Sequence, residues 1–67
     1  MYALYSRNTA SDLLVRTGHK VASLDAARKK ARNLNVYECE IRDEALPRSR
    51  NLLTIFIEGR EIAPTPH

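Results

Sequence analysis

At 67 residues the chain holds one domain and no more. Its 11 Lys plus Arg against 8 Asp plus Glu leave a formal net charge of +3, an excess that permits a nucleic-acid partner without demanding one. The one cysteine, Cys39, excludes an intrachain disulfide; two histidines without a cysteine pair argue against a zinc site; and no apolar run reaches the ~18–20 residues that span a bilayer.

The first residues lack a basic leader followed by an apolar stretch, so no signal peptide is expected; with a single thiol, this points to the cytoplasm. Residues 2–6 read as a strand. Residues 7–12 form a polar connection, and residues 13–17 a second strand closed by Gly18, together a hairpin with a long loop. Ser23 is a good N-cap and Asp25 suits the first turn of a helix. Leu24, Ala27, Ala31 and Leu34 recur on one helical stripe, with Asn33 and Asn35 as terminators and Asp25 spaced to pair with Lys29. Residues 36–42 alternate as a half-buried strand, with Tyr37, Cys39 and Ile41 on one side and Val36, Glu38, Glu40 and Arg42 on the other. Residues 43–51 form a polar loop around Pro47, and residues 52–58 are strongly β-prone. Residues 58–61 suit a turn into a short extra strand. Pro64 and Pro66 make residues 63–67 an extended tail after a single domain over 1–62.

The order strand, strand, helix, strand, strand predicts an α+β two-layer sandwich, an antiparallel sheet with one helix on one face. The covered face collects Leu4, Leu13, Val15, Tyr37, Cys39, Ile41, Leu53, Ile55 and Ile57. The open face carries Tyr5, Leu14, Val36, Leu52, Thr54 and Phe56 among Arg16, Glu38, Glu40 and Glu58. That face is apolar enough to be a protein interface unless the tail folds over it. Small size adds the expectation of a homodimer through Tyr5, Leu14 and Phe56. A second surface is basic: Arg48 and Arg50 in the hairpin loop, with Arg28, Lys29 and Arg32 on the helix, are the residues that would track phosphates. The plainer reading of both clusters is a solvated surface.

No constellation supports catalysis. Glu38 and Glu40 lie on a flat strand, where pairing with arginine is expected in place of acid–base work; Cys39 reads as a buried, inert thiol and His19 as a surface residue. No cofactor, metal or small-molecule ligand is expected.

A short amino-terminal hairpin, then Ala22-Ser23-Leu24-Asp25-Ala26-Ala27-Arg28 opening a basic helix, then more strands, resembles the layout of several small phage or mobile-element proteins. Among them are some anti-CRISPR inhibitors and the arm-type DNA-binding domains of integrases, which carry three strands before the helix where this chain has two. The resemblance covers most of the chain and rests on element order. For an inhibitor it implies a protein partner; for an arm-type domain, DNA. The expected function is therefore a non-enzymatic module that binds protein or itself through the open sheet face, with nucleic-acid binding by the basic loop and helix as the alternative.

Overall fold

The computed structural model describes residues 1–62. The elements in chain order are β1 (Tyr2–Arg7), β2 (Val15–Val21), α1 (Leu24–Asn33), β3 (Glu38–Asp43), a 3-10 turn (Arg48–Arg50), β4 (Leu52–Ile57) and β5 (Arg60–Ile62). The five strands form one sheet, ordered β2-β1-β3-β4-β5, with every neighbouring pair antiparallel. The helix lies on one face, so the expected two-layer α+β architecture holds, with the short extra strand as its fifth. The expected tail, 63–67, lies outside the described residues.

Helix α1 starts where the Ser23 hydroxyl oxygen accepts from the Ala26 N–H at 3.1 Å, leaving Asp25 in the first turn. Ala27 and Ala31 are its fully buried residues, and with no side chain beyond Cβ they let the helix lie close on the sheet. It ends in extended backbone at Leu34, whose N–H bonds to the Lys30 carbonyl. The helix thus ends at the expected Asn33, although neither Asn33 nor Asn35 takes a left-handed conformation.

The pairing register settles which side chains share a face. Leu4, Ile41 and Thr54 form one row beneath the helix; Ser6, Cys39, Phe56 and Glu61 form the next. The core is Leu4, Ala27, Ala31, Cys39, Ile41 and Phe56, flanked by Tyr2, Val21, Leu24, Leu34, Val36 and Leu53. Beyond a bulge at Leu53 this reverses the expected faces of β4: Thr54 and Phe56 are buried, Phe56 1% exposed at the centre of the core, while Ile55 and Ile57 stand opposite Glu40 and Glu38 on the far side. The physical reason is volume. Phe56 pairs with Cys39, and Cys39 with Ser6, so its ring lies beside two small side chains beneath an alanine-faced helix.

Other placements also differ from expectation. Val36 precedes β3 and packs against the core, away from the open face. Leu13 and Val15, expected in the core, are 85% and 59% exposed at the margin of the sheet. β2 begins at Val15 and runs through Gly18 to Val21. Between the Tyr5–Arg16 and Ala3–Lys20 pairs β2 spends three residues where β1 spends one, a bulge at Thr17, Gly18 and His19. There the Thr17 hydroxyl donates to the Leu4 carbonyl at 2.9 Å and accepts from the His19 N–H at 3.1 Å.

The β4–β5 turn has positive φ at both central residues, Glu58 at 52° and Gly59 at 82°, the backbone of the turns that match strand twist in two-residue hairpins. β5 then fastens the helix. Glu61 accepts from the buried Thr54 hydroxyl at 2.9 Å and from Arg28 Nε at 3.1 Å, with Arg32 within ion-pair distance. The Arg32 guanidinium also lies 5.9 Å from the centre of the Phe56 ring.

Candidate functional site: the open sheet face

Alternation places three rows on the face opposite the helix. They are Arg7–Glu38–Ile57–Arg60, then Arg16–Tyr5–Glu40–Ile55–Ile62, then Lys20–Ala3–Arg42–Leu52. No helix among the described residues covers them.

Each carboxylate on this face has a guanidinium. Glu38 takes Arg7 at 2.6 Å, the cross-strand pair expected of it. Arg7 also donates to the Ala10 carbonyl and lies over the Tyr37 ring, 5.3 Å from its centre. Glu40 pairs with Arg42, two residues along its own strand, at 2.7 Å. Arg42 donates in addition to the Asn51 side-chain oxygen at 2.8 Å and lies over Tyr5, 5.4 Å from the ring centre. Arg16 pairs with Glu44 of the β3–β4 loop. The two glutamates of β3 are therefore fixed as acceptors of arginine, an arrangement suited to shaping a surface and unsuited to moving protons. Cys39 lies on the other face. Burial, then Glu40 and Glu38, push its thiol up to about 11, so it stays protonated and poorly nucleophilic at neutral pH.

A groove of about 450 Å³ opens on this face where the β1–β2 and β3–β4 loops converge. Tyr5, Leu14, Arg42, Glu44, Leu46, Arg48 and Asn51 line it. Beside it Ile55, Ile57 and Leu52 are half-buried, and Ile62 is 51% exposed.

Of the residues expected at a protein interface, the structure brings Tyr5 and Leu14 together in the groove and sets Leu52 on the same face; Val36 and Phe56 belong to the core. Arg42, expected on this side of β3, completes the groove with Leu46, Glu44 and Asn51, and Ile55, Ile57 and Ile62 extend the face; apart from Arg42, none of these was expected there. No sequence signal marks the isoleucines, because β4 is apolar at both parities. Leu46 carries no periodicity, because it lies in a loop.

The residues expected to track phosphates do not form one surface. Arg28 and Arg32 are held by Glu61 on the helix side, where Lys29 is exposed, whereas Arg48 lines the open-face groove. Asp25 approaches Arg28, at 4.0 Å, in place of the expected Lys29.

Among the described residues no group of three His, Cys, Asp or Glu side chains is placed to hold a metal ion, and no helix is long and apolar enough to cross a membrane. Comparison with protein-family models, curated proteins and solved structures finds no match.

Proposed function

We propose that the chain is a non-enzymatic protein-binding module whose docking surface is the open sheet face. One observation carries the reading: the helix covers one side of a five-stranded sheet, while the other side carries both the isoleucines Ile55, Ile57 and Ile62 and a groove walled by Tyr5, Leu14 and Leu46. Exposed apolar surface rimmed by charge is characteristic of docking sites. The β2 edge is a poor template for strand addition, since it is bulged and carries Arg16 and Lys20. The face therefore supports the reading better than that edge does. A small phage or mobile-element regulator acting on a cytoplasmic protein is one form such a module takes.

Affinity capture with the full chain and two surface variants tests this. Ile57→Glu should abolish capture of a nuclease-resistant protein partner while leaving the fold intact. Lys29→Glu combined with Lys30→Glu, on the helix side, should leave capture unchanged. The opposite pattern, with nuclease-sensitive capture lost in the helix variant, would establish the nucleic-acid reading instead. Self-association is a separate outcome: sedimentation that shows a dimer abolished by Ile57→Glu would make a second copy the occupant.

A further inference from the structure

We propose that the groove on the open face takes an acidic segment of a partner protein, its carboxylates reaching Arg48 and its apolar side chains lying against Tyr5, Leu14 and Leu46. This rests on the open-face reading above and adds the chemistry of the partner.

Charge carries the inference. The open face and its groove present Arg7, Arg16, Lys20, Arg42, Arg48 and Arg60 against Glu38, Glu40 and Glu44. Every one of those carboxylates is taken by an arginine of the same face. Lys20, Arg48 and Arg60 have no ion pair among the described residues. Glu58, in the turn beside Arg60, has no ion pair either, so the cation excess is clearest at the groove, where Arg48 is unpaired and the one carboxylate of the lining, Glu44, is taken by Arg16. A complementary partner supplies negative charge. The groove also has three apolar walls, so it suits a segment in which acidic and apolar residues mix.

The same features disfavour the other occupants. A second copy docked face to face would set this cation excess against itself, because a two-fold interface pairs a patch with its own image. A nucleic-acid strand is disfavoured because the ring of Tyr5 already carries the Arg42 guanidinium where a base would stack. Arg42 itself is anchored by Glu40 and Asn51. It stiffens the groove floor, which leaves Arg48 as the free cation of the lining.

The test is a titration of the isotope-labelled full chain, followed by backbone amide shifts. The probes are a short peptide alternating glutamate and leucine, its glutamine and lysine analogues, and a single-stranded oligonucleotide. The glutamate peptide should move the signals of Leu14, Leu46, Arg48 and Asn51, and the lysine analogue should leave them still. Arg48→Glu should weaken the glutamate peptide about five-fold while Arg48→Lys retains it, as for one solvent-exposed ion pair. Residue 48 is exposed, and the spectra themselves report whether each variant stays folded. Equal shifts from the glutamate and glutamine peptides would overturn the acidic occupant yet leave the open face as a docking surface. Shifts confined to Lys29 and Lys30 would overturn both. Tighter binding of the oligonucleotide at Arg48, or silence from every peptide into the millimolar range, would also overturn the proposal.

Discussion

Phe56 and Ile55 are neighbours in sequence, and the register gives them opposite surroundings. Phe56→Ala removes the largest fully buried side chain and should cost ~3–5 kcal/mol, enough to unfold much of a domain this small. Ile55→Ala trims a half-buried side chain on the other face and should cost about 1 kcal/mol. Urea denaturation of the two variants measures the difference, and equal losses would mean that the faces of β4 are misassigned. Glu61 is held below its ordinary carboxyl pKa of 4.5, first by the Thr54 hydroxyl and then by Arg28 and Arg32, against the opposing effect of burial. A carboxyl whose pKa is depressed on folding contributes stability that is present above its unfolded pKa and fades as pH falls through the folded one. Glu61→Gln should therefore lower stability at pH 7 and flatten its fall below about pH 4.5, the upper edge of that window. Denaturation curves across that range in both proteins read the effect, and parallel curves would refute it. The Cys39 thiol, raised to about 11 and buried, should resist alkylation at neutral pH until the chain unfolds; rapid labelling in native buffer would contradict that burial.

The elements were unequally legible in the sequence. The helix was plain because Leu24, Ala27, Ala31 and Leu34 fall on one stripe after a serine cap, and the structure returns that stripe as the buried one. β3 was plain because glutamate and arginine alternate with Cys39 and Ile41. β4 was not: Leu52, Leu53, Ile55, Phe56 and Ile57 are apolar at both parities, so a period of two selects no face. Only the pairing with β3 decides it, and that is a tertiary fact. The error carried into the site, since it exchanged Phe56 for the isoleucines. Gly18 was read as a strand end because glycine commonly punctuates, yet here it lies within a bulge of β2 with open space where a Cβ would stand. Gly18→Ala should therefore change stability by less than about 0.5 kcal/mol. In the β4–β5 turn the backbone conformation matters instead of space. Gly59→Ala should cost about 1 kcal/mol at its positive φ, and Glu58→Asn should gain roughly 0.5 kcal/mol by placing a residue tolerant of that conformation. Thermal melts of the three variants check the order, and a stabilising Gly59→Ala would contradict the turn.

At the scale of the molecule, one helix is too little to cover both sides of five strands. The sheet closes its core on one side and faces outward with ion pairs, isoleucines and a groove on the other. The existence of an open, partly apolar face is legible from strand order and alternation; Tyr5 and Leu52 stand on it, and Leu14 lines its groove from the loop before β2. The groove was not legible, because it forms where two loops meet and loop residues such as Leu46 and Asn51 follow no period. The basic residues separate in the same way: those of the helix serve Glu61, and Arg48 joins the open face. The central claim is that partners dock on that open face. Site-specific photo-crosslinking in living cells tests it most directly, with a photoreactive residue placed in the full chain at Ile57, at Leu46 or at Lys29. Docking on the open face gives a discrete protein adduct from positions 57 and 46 and none from position 29, whereas adducts from position 29 alone would rule it out.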